Sequence, residues 1–294
     1  MQTSILYYTN NLLPQKLFEH VLGEVVKQAK ENECELIITS HFPITEEYEE
    51  FSLGETNYAK DINQNTGRFQ VSDIYEYVNR NTQIDTSNIN CKSFVVGKIP
   101  YSLESILKQI HFSLEKCRGK NIILMEHDCL YPKNYIKTVN HVLTNYQKEF
   151  TYCSFNTVFL NEHGYFNIPN KSFLLSGCAG KKELLKGLFQ RKIELIKSKS
   201  PFTFEPILSV EPEAKKERYP QEIIIDKHIC IDSFLGENNS ILDIKHHLNA
   251  DGYFRGEYYS DHALWGNAKQ YKDMIDSVSV KHDKWNYGVA KLDY

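Results

Sequence analysis

The sequence predicts an α/β protein with a mostly parallel central sheet flanked by helices, completed by a less regular C-terminal half. Three observations carry that expectation. A strand at residues 4–9, a helix beginning near Pro14 and a second strand at 35–40 follow one another within forty residues, which is how a parallel sheet opens. A second alternation, strand 92–97, helix 102–117 and strand 121–125, repeats the pattern. The last of these strands, Asn121-Ile122-Ile123-Leu124-Met125, is an apolar run with no polar alternation, as expected of a buried strand.

Each element has its own signal. Ser4-Ile5-Leu6-Tyr7-Tyr8-Thr9 is strand-like, and Asn10 and Asn11 end it. Pro14 stands where a helix can start, and Leu17, Val21, Val25 and Ala29 then recur at helical spacing. Residues 45–70 are polar and without period, so a loop or insertion is expected. In the helix 102–117, Leu103, Ile106, Leu107, Ile110 and Leu114 make one apolar face, and Arg118-Gly119-Lys120 closes it. Tyr135–Tyr146 reads as a helix and Thr151–Leu160 as a strand. A long helix is expected within 177–197, beginning near Lys181 and carrying Leu184, Leu185, Leu188, Ile193 and Ile196. Pro201, Pro206, Pro212 and Pro220 punctuate a charged stretch before strands at 222–231 and 241–244. The segment 253–294 is aromatic and charged and holds both tryptophans. The simplest partition is a nucleotide-type half, residues 1–150, and a site-completing half, residues 151–294, within one compact domain.

Composition narrows the function. Hydrophobic residues at 41% and charged residues at 24% are ordinary for a globular chain. A formal charge of -4 supplies no global field toward nucleic acid or an anionic membrane, which leaves only local basic stretches for such partners. Seven scattered cysteines, none in a CxxC pair, argue for reduced thiols. The first ten residues lack a basic region followed by an apolar run, and no stretch approaches a membrane-spanning apolar length. The expectation is a cytoplasmic protein without a transmembrane segment.

Chemistry is expected at Glu126-His127-Asp128, directly beyond the apolar strand. Open α/β sheets bind ligands in the crevice outside the carboxyl ends of their strands. Strand alternation would direct Glu126 and Asp128 to one side and His127 to the other. Carboxylates there suit Mg²⁺ or Mn²⁺ holding phosphates, although acidic turns also follow strands without any function. A second cluster, Asp243-Ile244-Lys245-His246-His247, carries two adjacent histidines just beyond the strand 241–244 and could add an imidazole ligand. With no thiolate in view, the set does not read as structural zinc.

These motifs resemble the metal-dependent nucleotide-sugar glycosyltransferases of the GT-A fold, especially small bacterial and phage-type members. The matching segment is Ile122-Ile123-Leu124-Met125-Glu126-His127-Asp128-Cys129-Leu130-Tyr131-Pro132, in place of a strand ending in a DxD-like motif. The resemblance implies a GT-A-like, Rossmann-type fold. Asp128 would coordinate a metal, Mn²⁺ or Mg²⁺, that bridges the donor diphosphate, with Glu126 near the donor ribose or sugar. Glu126 departs from the family's first Asp. The later match is Asp243-Ile244-Lys245-His246 with Asn249 and Gly252, where the family has Asp-Ile-Arg-His. It implies that His246 completes the metal or diphosphate site, and Lys245 keeps the charge of the family's Arg without its bidentate fork. Tyr8, Thr9 and Asn10 fall where such enzymes meet the nucleotide base and ribose.

An inverting member needs a base for the acceptor hydroxyl, and Glu205 and Glu211, each followed by proline, are the candidates; a retaining one needs none. The acceptor could be a glycan or, as in some phage relatives, DNA carrying a modified base. The basic segment 181–199 is either a solvated face or a contact for an anionic acceptor. Two other readings stay open: a metal-dependent nucleotidyltransferase or other phosphoryl-transfer enzyme, and a catalytically inactive glycosyltransferase-like binding module. Neither GxGxxG nor GxxxxGK[ST] occurs in the chain.

Overall fold

The computed structural model describes residues 2–9, 11, 15–53, 83–97, 103–145, 152–155, 157–160, 164–167, 177–197, 222–225, 228–233, 241–244 and 258–271. The chain opens with β1 (Thr3–Thr9), α1 (Gln15–Glu31) and β2 (Glu35–Ser40), close to the expected bounds. β3 (Glu49–Glu50), β4 (Cys91–Val95), α2 (Leu103–Lys116), β5 (Asn121–Glu126), β6 (Cys129–Leu130) and α3 (Tyr135–Asn145) follow. The rest comprises β7 (Tyr152–Phe155), β8 (Thr157–Leu160), β9 (Phe166–Asn167), β10 (Ala179–Lys181), α4 (Lys182–Lys197), β11 (Glu222–Ile225), β12 (His228–Ser233), β13 (Ile241–Ile244), β14 (Tyr258–Tyr259), β15 (Asp261–His262) and β16 (Gly266–Asn267).

Nine strands form the main sheet in the order β11-β12-β7-β10-β5-β1-β2-β4-β3. β1, β2, β4 and β5 run parallel, and β12 is parallel to β7. The sheet takes strands from both sides of residue 150. Alternation along β1 sorts its side chains between two layers. Ile5 and Tyr7 join Leu17, Val21 and Val25 of α1 and Val139 and Leu143 of α3, while Leu6 and Tyr8 join Leu107 and Ile110 of α2 and Leu188 and Phe189 of α4. Helices therefore cover both faces, which is why β1 and β2 are buried at every residue and read as apolar runs. Each fully buried Leu or Val contributes about 1.5–3 kcal/mol, several times the intrinsic helix propensity of a residue. Packing, more than local preference, holds α1.

Four elements differ from the sequence reading. The expected strand 151–160 is two strands: β7 enters the main sheet, whereas β8 pairs with β9 and β13 in a second sheet ordered β14-β9-β8-β13-β6. The expected strand 222–231 is an antiparallel pair, with Ile225 opposite His228. β10, inside the segment read as leading into a helix, is antiparallel to both β5 and β7. Ala179-Gly180-Lys181 is too short to show alternation and uses residues depleted in strands, so only its two flanking partners make it one. In the expected loop 45–70, β3 pairs with β4, and residues 54–70 lie outside the described set.

Strand order fixes where a ligand can bind. From β1 the chain moves outward through β2 to β3 at the edge, fills β4 between them, then returns to lay β5 against the other side of β1. That reversal is a topological switch point, and the crevice beyond the carboxyl ends of β1 and β5 is the expected binding place. The opposite end of the sheet is clamped by Glu35, whose buried carboxylate accepts from Ser4 Oγ at 2.6 Å, Arg118 N at 2.7 Å and Arg118 Nε at 3.0 Å. Burial alone would raise this carboxyl's pKa, but the donated hydrogen bonds from Arg118 and Ser4 prevail and hold it below the usual range.

Candidate active site at the β1–β5 crevice

The switch point carries the acidic segment. β5 ends at Glu126, residues 127–128 form a turn, and β6 begins at Cys129. Strand alternation therefore stops short of Asp128, yet the turn keeps the two carboxylates together. Ligand atoms of Glu126, Asp128 and Cys129 all lie within 4.8 Å of one another, the one such group among the described residues. Asp128 is buried at 5% exposure and Glu126 is partly exposed, so the pair sits at the mouth of the crevice.

Register places the supporting groups. Tyr8 lies opposite Glu126 across β1 and β5, and its hydroxyl donates to Glu126 Oε1. The Glu126 amide donates to Tyr131 Oη at 2.7 Å. The Cys129 thiol makes weak contacts to Glu126 Oε2 at 3.9 Å and Asp128 Oδ1 at 3.7 Å. His127 turns toward β1: its Nδ1 is 2.8 Å from Thr9 Oγ1, which also accepts from the Asn11 amide at 2.9 Å. Asn11, in a left-handed conformation at φ 61°, accepts through Oδ1 from the amides of His41 at 2.9 Å and Phe42 at 3.3 Å. Asparagine tolerates that conformation better than most residues. The ends of β1, β2 and β5 are thus tied by side chains.

The loop is also held from behind. Gln28, buried in α1, donates to Pro132 O at 3.0 Å and accepts from the Ile136 amide at 3.4 Å, anchoring the end of the loop at the start of α3.

Electrostatics agree with a desolvated acidic mouth. Burial, then the Glu126 charge and hydrogen bond, push the Tyr8 phenol well up, so it stays a donor. Tyr131 is raised by burial, and Tyr7 by burial and then the charge of Asp128. His41, buried at 3% exposure with Nε2 2.9 Å from Gln109 Nε2, has its pKa lowered to about 4 by burial and then by His127. It is neutral at pH 7.

Of the residues singled out from sequence, the structure brings together Tyr8, Thr9, Glu126 and Asp128. Asn10, Glu205, Glu211, Lys245 and His246 lie outside the described residues. The strand leading to the last two is described: β13 pairs antiparallel with β6, Leu242 opposite Leu130 and Asp243 opposite Cys129. β13 thus runs toward Asp128 and ends two residues before His246. Sequence reasoning missed His41, Asn11 and Cys129 as site residues. Asn11 and His41 stand just past the ends of β1 and β2, and that position was the available signal.

The basic segment is differently used. Lys181 closes β10 and donates through Nζ to Asn121 Oδ1 at 2.8 Å and Leu143 O at 2.9 Å. Lys182 Nζ donates to Cys117 O at 2.8 Å, Lys186 pairs with Glu115 at 3.4 Å, and Lys192 is buried. Lys181, Lys182 and Lys186 fasten this segment to α2, α3 and the sheet, with Lys181 and Lys182 at the end of β5 opposite the acidic turn. No disulfide links Cys34, Cys91, Cys117, Cys129 or Cys178. No helix among the described residues is long and apolar enough to cross a membrane.

No family model matches the sequence, and no curated protein matches it. Similar solved structures exist. One is Staphylococcus aureus TarS 1-349 in complex with UDP-GlcNAc, at 13% identity and TM-score 0.43, covering 96% of this chain and 66% of that one. Another is the mannosyltransferase PcManGT from Pyrobaculum calidifontis in complex with GDP-Man and Mn²⁺, at 9% identity and TM-score 0.40, covering 96% and 70%. A third is GalNAc-T7 with UDP, GalNAc and Mn²⁺, at 11% identity and TM-score 0.42, covering 83% and 44%. The chain spans less than two thirds of the length of the TarS chains it matches. Its own strand order and two helical layers establish the α/β class.

Proposed function

We propose that the protein is a metal-dependent glycosyltransferase that moves a sugar from a nucleoside-diphosphate sugar to a hydroxyl acceptor, a glycan or a modified base in DNA. One observation carries the reading: paired carboxylates, Glu126 and Asp128, stand at the topological switch point between β1 and β5. The donor set fits a divalent cation, since both carboxylates offer hard oxygens within reach of one ion. Mn²⁺ or Mg²⁺ held by Asp128 and His246 would supply the positive charge that a departing nucleoside diphosphate requires. The approach of β13 to Asp128 supports His246 as the partner.

The chain's own groups do the rest. Tyr8 orients the Glu126 carboxylate toward the donor ribose or sugar. Thr9 and Asn10 border the nucleotide, Lys245 adds positive charge near the diphosphate, and Glu205 or Glu211 takes the acceptor proton if configuration inverts. The five described cysteines, none in a disulfide, fit a reducing, cytoplasmic setting.

The test is a thermal-shift scan of nucleotide sugars with and without Mn²⁺, then product analysis of the best binder. Metal-dependent stabilisation and free nucleoside diphosphate are expected, both lost in Asp128→Asn and His246→Ala. Pyrophosphate as product would assign nucleotidyl transfer instead. Metal-dependent binding without turnover of any acceptor would leave a binding module. Unchanged binding and turnover in both variants would refute the site.

A further inference from the structure

The site contains a sulfur that oxygen-based metal chemistry does not require. Cys129, the first residue of β6, is fully buried, and its Sγ lies 3.7 Å from Asp128 Oδ1 and 3.9 Å from Glu126 Oε2. One thiol thus reaches both carboxylates, and all three ligand atoms fall inside a space that a single cation can bridge. A thiol is a weak donor and a poor match for two carboxylates, but its thiolate is a strong ligand for soft and borderline metals.

A second observation points to the same spot. The Tyr7 hydroxyl is completely buried and has no hydrogen-bond partner among the described residues. Tyr7 shares a core layer with Cys129, on the opposite side of β1 from Tyr8, and after burial the Asp128 charge helps hold its hydroxyl protonated. An orphaned buried hydroxyl is destabilising until it finds an acceptor. Metal sites use such groups as outer donors, hydrogen-bonded to the ligating sulfur or carboxylate.

We propose that the Cys129 thiolate is a ligand of the cation held beside Glu126 and Asp128, making a mixed sulfur–oxygen site that takes a thiophilic divalent ion, Zn²⁺ or Cd²⁺, in preference to Mg²⁺. Binding forms a metal–sulfur bond and releases the thiol proton to solvent. Tyr7 donates its hydrogen bond to the ligand set once the ion is in place. This inference rests on the reading of Glu126 and Asp128 as a cation site and adds to it a sulfur ligand, which ranks thiophilic ions above the Mg²⁺ that carboxylates alone would also accept.

The experiment titrates the full chain with Cd²⁺ alone and follows the ultraviolet thiolate-to-cadmium charge-transfer band. One equivalent should develop the band in the wild type, and Cys129→Ser and Asp128→Asn should each remove that first equivalent. The Asp128 variant keeps every thiol, so its loss assigns the band to this site. Cys129→Ser should weaken Zn²⁺ binding about 100-fold while changing Mn²⁺ binding less than about threefold. Should the serine variant fail to fold, X-ray absorption of the wild type with one equivalent of Zn²⁺ decides: a sulfur neighbour at about 2.3 Å supports the proposal, and a shell of oxygen and nitrogen alone overturns it. A band unchanged by either substitution, or no band at one equivalent, also overturns it. If Cys129→Ser keeps the band while Asp128→Asn loses Mn²⁺-dependent nucleotide-sugar binding, this inference falls and the proposed function stands. If both substitutions remove the band but no nucleotide sugar is turned over, the metal site stands and the glycosyl-transfer reading falls.

Discussion

Burial of His41 predicts a specific loss of stability in mild acid. Its imidazole has a pKa of about 4 in the folded chain against 6.5 for an unperturbed histidine, lowered by burial and then by His127. Between those values the unfolded chain binds a proton that the folded chain refuses, so stability falls as pH falls. The contribution is fully present above about pH 6.5 and is lost progressively toward pH 4. The shift corresponds to about 3 kcal/mol over the whole window, and to about 2 kcal/mol between pH 7 and pH 5. The assay is urea unfolding of the wild type and His41→Gln at pH 7, 6 and 5. Glutamine removes the titration while leaving a polar group facing Gln109, so common contributions from other residues cancel in the comparison. The wild type should lose about 2 kcal/mol more than the variant over that interval. Parallel pH dependence in the two proteins would show that His41 is solvated or charged in the fold, and the argument from burial would fail.

Three further outcomes follow from particular contacts. Gly119→Ala would place a Cβ 2.5 Å from Ser4 N and 2.7 Å from Thr3 C, both backbone atoms, so the β1 end must shift. The expected cost is about 1–3 kcal/mol, read as a lowered melting temperature. Tyr8→Phe removes the donor to Glu126 Oε1; a charge-assisted bond worth about 1.5–3 kcal/mol implies roughly a tenfold or larger drop in turnover of the donor found by the scan, with little loss of fold. Lys182→Ala loses the bond to Cys117 O and should lower thermal stability without weakening acceptor binding, measured by melting and by KM for the acceptor.

Much of the fold was legible because local signals and tertiary environment agree in the first half. β1, α1, β2, α2 and β5 each carry a clean period, and their layers bury what those periods expose. The candidate site was legible in part: an acidic segment directly after an apolar strand is a positional signal. Legibility stopped where a residue's role depends on a partner far along the chain. β10 is a strand because β5 and β7 flank it, and nothing in Ala179-Gly180-Lys181 says so. The basic run 181–199 reads as a surface, yet Lys181, Lys182 and Lys186 point into contacts with Asn121, Cys117 and Glu115.

The sequence by itself determined an α/β chain whose acidic segment ends a buried strand, because apolar periodicity and strand-end position are local properties. Only the tertiary structure decided that β5 lies against β1 and not beyond β4, which puts Tyr8 opposite Glu126 and makes the strand end a crevice. It likewise decided that 127–128 turn, bringing the Cys129 sulfur within reach of both carboxylates. Register and strand order are set by which apolar faces can be buried together, a global property that no window of neighbouring residues contains.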